Sequence, residues 1–150
     1  MTCRIVTTER QLTAVIRTAS PFDKIPEVQR TARATLAAAL PSLETGALGP
    51  TCTRWTRPTG SVLAMEIGCI VSRDFPAHGE IVSSDLPAGR AVHLAMKGGF
   101  ENLPRAWETL FHWLQEQKLT AAGINWEVYG ATPSDPAKQE TYLYALLAAN

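Results

Sequence analysis

The chain carries no excess of either charge: 14 Lys and Arg stand against 14 Asp and Glu in 150 residues, with no long run of one sign. A DNA- or RNA-binding protein normally shows a basic patch. Neither helix-turn-helix nor zinc-finger spacing occurs, so direct nucleic-acid binding is not expected. A mild asymmetry remains, with nine basic and six acidic residues in 1–75 and five and eight in 76–150. It is too weak to argue for such a partner. Cysteine is scarce as well: Cys3, Cys52 and Cys69 are odd in number and scattered, which excludes a disulfide framework and suits thiols in a reducing cytoplasm. No apolar run approaches the roughly 20 residues that cross a bilayer. The first residues, Met-Thr-Cys-Arg-Ile-Val, lack the charged start and apolar stretch of a signal peptide. A cytoplasmic location without membrane contact is the expectation.

Familiar catalytic signatures are missing too. His78, His93 and His112 show no ligand spacing with the cysteines, so no metal site is expected. Gly98-Gly99 lacks the further glycines and the Lys-Ser/Thr of a phosphate loop and suits a turn instead. Ser20, Ser61 and Ser72 have no G-x-S-x-G context, and no close carboxylate pair suggests glycosidase chemistry. No cofactor is implied.

What the chain does contain is itself, twice. Ile5-Val6-Thr7-Thr8-Glu9 returns as Ile81-Val82-Ser83-Ser84-Asp85, and Pro21-Phe22-Asp23-Lys24-Ile25-Pro26 as Gly99-Phe100-Glu101-Asn102-Leu103-Pro104. Gly49 through Trp55 aligns with Gly123 through Tyr129, which sets Thr53 against Glu127 and Trp55 against Tyr129. Repeat one spans about 1–74 and repeat two about 79–150. With 45% hydrophobic residues, the chain can bury one core, so a single domain over 1–150 is expected. Duplicated modules usually pack about a pseudo-twofold axis and leave a cleft at the seam.

Each half reads strand, helix, strand, strand. Cys3–Thr8 and Gln11–Thr18 are rich in β-branched residues and look extended. Pro26 suits a first helical turn, and Val28, Ala32, Leu36 and Leu40 follow at helical spacing until Pro41 and Gly46. Thr51–Arg57 and Val62–Val71 read as strands joined through Arg57-Pro58-Thr59-Gly60. After a linker at Ser72–Gly79, Glu80–Ser84 and Arg90–Lys97 read as strands around the turn Leu86-Pro87-Ala88-Gly89. Pro104 opens a second helix striped by Leu103, Trp107, Leu110, Phe111 and Leu114. Asn125–Gly130 and Gln139–Leu147 complete the sheet across Thr132-Pro133-Ser134-Asp135-Pro136. The pattern predicts an α+β fold: an antiparallel sheet with two helices on one face.

Glu127 is the residue to explain. Strand alternation puts Glu127 and Tyr129 on one face and Trp126 on the other, where it is expected beneath a helix. Thr53 and Trp55 should line the mirror-related wall. A carboxylate beside aromatic rings suits a flat organic cation. Enclosure would also raise its pKa and favour general-base chemistry, with Tyr129 as a donor to an oxyanion. Candidate ligand-binding residues are therefore Glu127, Tyr129, Trp55, Thr53, Trp107, Phe111 and Tyr142. Candidate catalytic residues, if there is a reaction, are Glu127 and Tyr129. Core packing alone would equally account for Trp107 and Phe111.

Leu86-Pro87-Ala88-Gly89-Arg90, Met96-Lys97-Gly98-Gly99-Phe100 with Leu103 and Ala106, Leu110–Trp113 and Gly123–Tyr129 form an ordered set of phrases. Gly49-Pro50 and Met65-Glu66-Ile67-Gly68-Cys69 join them from the first copy. Together they resemble the GyrI-like small-molecule-binding domain, which is also the effector-binding domain of AraC-type and multidrug-responsive MerR-type regulators. The resemblance implies two strand–helix–strand–strand modules, a cleft for lipophilic, often cationic aromatic compounds, and a buried glutamate that maps to Glu127. Three functions follow from it. The leading one is a stand-alone binder of hydrophobic aromatic or cationic molecules. The second is a hydrolase of strained, cyclopropane-bearing electrophiles, with Glu127 activating water. The third is a module that binds gyrase or a separate regulator, which a near-zero net charge does not favour. A homodimer is left open.

Overall fold

The computed structural model describes residues 1–131 and 133–149. Eight strands and two helices follow in the order β1 (Cys3–Thr8), β2 (Gln11–Pro21), α1 (Ile25–Ala39), β3 (Leu48–Thr56), β4 (Val62–Val71), β5 (Ile81–Leu86), β6 (Gly89–Lys97), α2 (Leu103–Glu116), β7 (Ala121–Tyr129) and β8 (Glu140–Leu147). All the strands join one antiparallel sheet in the order β1-β6-β8-β7-β3-β4-β2-β5. Exchanging β1 with β5, β2 with β6, β3 with β7 and β4 with β8 reverses that order onto itself. The duplication is therefore a pseudo-twofold whose axis passes between β3 and β7.

Each copy is two strands, a helix and two strands, one strand more than the basic module. The first strand of each copy is exchanged: β1 pairs with β6 of the second copy, and β5 pairs with β2 of the first. The Thr8 hydroxyl anchors the end of the exchanged strand β1 by donating to Pro87 O at 2.9 Å.

The helices form where the residues favour them. Pro26 and Pro104 sit in the first turns, where a missing N–H costs nothing. Ala32 and Leu36 of α1, with Leu40 just beyond it, pack on Ala14, Ile16, Met65, Ile67 and Cys69. Ala106, Leu110 and Leu114 of α2 pack on Val92, Leu94, Met96, Leu143 and Ala145. Both helices cover the same sheet face, because residues directly opposite on neighbouring strands point the same way. Gly68 allows β2 and β4 to close up, since a Cβ there would lie 2.0 Å from Ala14 O.

The helix-free face is not flat. Arg54 of β3 donates to Asp85 Oδ1 of β5 at 2.8 Å, although those strands lie three places apart in the sheet. More decisively, Leu86 of β5 and Ala91 of β6 share one buried cluster although their strands lie six places apart, about 28 Å in a flat sheet, so this face is concave. Its floor buries Cys52, Leu86, Ala91 and Trp126. Trp126 therefore lies not under a helix but in a second core formed by the sheet's own curvature. The turn expected at Thr132-Pro133-Ser134-Asp135-Pro136 begins at Thr132, outside the described residues. Beyond it Asp135 Oδ1 accepts from Ala137 N at 3.0 Å and caps a short turn at Pro136–Lys138.

Candidate functional site

The pseudo-twofold axis brings the two aligned segments face to face. Thr53 and Glu127 are repeat equivalents and also direct partners across the β3–β7 ladder. Trp55 pairs with Asn125 in the same ladder. Side chains alternate along a strand, so Asn125, Glu127 and Tyr129 of β7 and Thr53 and Trp55 of β3 all rise from the helix-bearing face. They form the floor of the cleft between α1 and α2.

The two walls differ. On the α2 side Trp55 meets Trp107 edge-on at 4.9 Å and Phe111 at 6.2 Å, and Trp107 stacks on Phe111 at 5.5 Å. On the α1 side stand Gln29 and Arg33. The Arg33 guanidinium donates to Gln29 Oε1 at 2.9 and 3.1 Å and to Thr53 Oγ1 at 3.1 Å. Its carbon lies 4.8 Å from the centre of the Tyr129 ring. Tyr129 in turn donates its hydroxyl proton to Thr53 Oγ1 at 2.9 Å. Phe100 packs edge-on against Tyr129 at 5.6 Å and is half exposed at the rim.

Glu127 is 9% exposed, and its Oε2 has no hydrogen-bond partner among the described residues. Burial pushes its carboxyl up to about 7, against smaller opposing effects of the Trp107 N–H and Arg33. The Tyr129 phenol is raised well above its ordinary range by burial and by Glu127. Asn125 Oδ1, two residues away and also buried, likewise lacks a partner. Unpaired buried acceptors are costly and rare in proteins. Both stand on the same floor between α1 and α2.

Two further features lie elsewhere. Tyr142 is not in the cleft: it pairs with Val128 on the helix-free face, where its hydroxyl donates to Glu140. There a stack runs from Trp126 through Tyr144 to His93, at 5.3 and 4.5 Å. A groove of about 390 Å³ opens beside it, lined in part by Arg4, Val6 and Leu86. The Cys52 thiol on that face is pushed up to about 12 by burial, so it is inert rather than nucleophilic.

The family model of the GyrI-like small molecule binding domain matches residues 1–145. The chain belongs to the GyrI-like family. Among curated proteins no sequence matches it. Among solved structures, the EcmrR C-terminal domain superposes with a TM-score of 0.80 at 15% identity, covering 98% of this chain and 97% of that one. SAV2435 bound to tetraphenylphosphonium gives 0.74 at 11%, covering 99% and 94%. A hydrolase from Listeria innocua gives 0.60 at 12%, covering 97% and 91%. At these identities the likeness is one of fold.

Within this GyrI-like domain the structure gathers Glu127, Tyr129, Trp55, Thr53, Trp107 and Phe111, and leaves Tyr142 out. Sequence reasoning missed Gln29, Arg33 and Asn125. A signal for the first two existed: the offset that aligns Phe22 with Phe100 also aligns Gln29 with Trp107 and Arg33 with Phe111. Asn125 could have been found from Glu127, since it lies two residues earlier on the same strand.

Proposed function

We propose that this small-molecule-binding domain captures hydrophobic aromatic compounds between α1 and α2, with Glu127 as the polar anchor. The observation that carries the reading is the unpaired Glu127 Oε2, buried next to a wall of Trp55, Trp107 and Phe111. Aromatic rings supply apolar area and π faces for a flat ligand. The free acceptor calls for an N–H or an O–H on that ligand. SAV2435, a structural neighbour, is seen with tetraphenylphosphonium, a permanent cation bearing four phenyl rings, which supports the aromatic part of the ligand class and not the charge. The chain also matches EcmrR in its DNA complex, spanning 57% of that longer chain, and transcription regulation is the setting that this likeness supports.

The test uses N-phenylnaphthylamine, an uncharged N–H donor whose emission rises in apolar surroundings. Saturable enhancement is expected in the wild type. Glu127→Leu should weaken it about tenfold, equivalent to about 1.4 kcal/mol, while the N-methylated probe should bind both proteins alike. Equal loss for both probes would remove Glu127 as the acceptor.

Hydrolysis is the second reading: Glu127 is buried beside Tyr129, and burial pushes its carboxyl up to about 7, the range of a general base. In that case Glu127 would take the proton from water. Tyr129 would first have to release Thr53, to which its own proton is committed. Ring opening of a cyclopropane-bearing substrate, with a product heavier by one water and lost in Glu127→Gln, would establish the enzyme.

A further inference from the structure

The two copies build the cleft from equivalent positions but with opposite chemistry. Trp107 and Phe111 lie four residues apart on α2 and present rings to Trp55. Their repeat equivalents Gln29 and Arg33, four apart on α1, present an amide and a guanidinium to Thr53 and Tyr129. Arg33 is held on three sides: Gln29 Oε1 takes two of its N–H groups, Thr53 Oγ1 takes a third contact, and the Tyr129 ring lies beneath it. Among the described residues no carboxylate lies within ion-pair distance of it.

A guanidinium on an aromatic face is where a ligand's own cation would sit. We propose that Arg33 is the resident cation of the cleft and sets its charge selectivity: uncharged aromatic ligands enter, and permanently cationic ones are held off until Arg33 is displaced. This rests on the cleft reading given above. Glu127 by itself would draw cations, but Arg33 stands close enough to lower the pKa of both Glu127 and Tyr129. A second positive charge entering this low-dielectric space meets like-charge repulsion that water screens poorly. An uncharged ring system meets none and still reaches the aromatic wall. The side chain is partly exposed and carried on a long flexible stem, so its removal need not disturb the core.

The experiment is calorimetric titration of the wild type, Arg33→Met and Arg33→Lys with two probes. Methyltriphenylphosphonium and triphenylmethanol share three rings on a tetrahedral centre and differ in charge. In the wild type the alcohol should bind about tenfold more tightly than the phosphonium. Arg33→Met should raise phosphonium affinity by about tenfold, a change of about 1.4 kcal/mol, with little change for the alcohol. Arg33→Lys, which keeps the charge, should keep the wild-type preference. An unchanged ratio of the two affinities in Arg33→Met would overturn the role of Arg33 while leaving the cleft as the site. Failure of both probes to bind any of the three proteins would remove the cleft reading and this inference together.

Discussion

Glu127 is costly to the fold, and the cost has a sign that can be measured. Its carboxyl titrates near 7 in the native protein against 4.5 as the ordinary value. Between those values the native state holds a proton that the unfolded chain has released. The related stability is fully present below about pH 4.5 and is lost as pH rises through about 7. The difference is on the order of 3 kcal/mol. Urea midpoints should therefore fall between pH 5 and pH 8 in the wild type. In Glu127→Gln the part of that fall due to residue 127 should vanish, leaving the variant more stable at pH 8. An identical pH dependence in both proteins would show that Glu127 is solvated. At the same scale, alternation along β7 is enough by itself to place Glu127 and Tyr129 on one face. Arg33 is harder to read: the repeat sets it against Phe111, but beside Arg30 in an Ala-rich helix it reads as an exposed charge until the opposing strand is known.

At the scale of elements, the helices and all eight strands follow from Pro placement, β-branched runs and apolar spacing. Tyr142 shows where that reading fails. In Glu140–Leu147 tyrosines and aliphatics alternate, so either set could face the cleft. The register with β7 puts Leu143 opposite Glu127 and gives Leu143, Ala145 and Leu147 to α2. The tyrosines take the other side. Trp126 departs from expectation for a related reason: alternation along a strand carries no sign of sheet curvature, and it is curvature that buries this ring on the helix-free face. On the same face Gly68 of β4 leaves no room for a side chain against Ala14 and Val15 of β2. Gly68→Ala should cost roughly 1–3 kcal/mol, the range for overpacking a filled core, read as a lower urea midpoint with the fold retained. An unchanged midpoint would mean that β2 and β4 separate at little cost.

For the whole molecule, duplication explains why the site lies where it does. An axis through the β3–β7 ladder forces Thr53 and Glu127 into contact, and divergence of the copies then made one carboxylate, one guanidinium and one aromatic wall from matching positions. The repeat is visible in the sequence, as is the fold that it builds. The exchange of β1 and β5 is not, because each first strand has the same local pattern whichever copy it pairs with. The candidate site between the helices and the groove beside Trp126 lie on opposite faces of the sheet, and the four tryptophans report on both. Trp55 and Trp107 stand in the cleft, Trp113 packs against the core beneath α2 and Trp126 faces the groove. The most direct measurement follows the four indole N–H signals by NMR while N-phenylnaphthylamine is added. Saturable shifts confined to Trp55 and Trp107 are the predicted result, whereas a shift of Trp126 with those two unmoved would place the ligand on the opposite face and contradict the account.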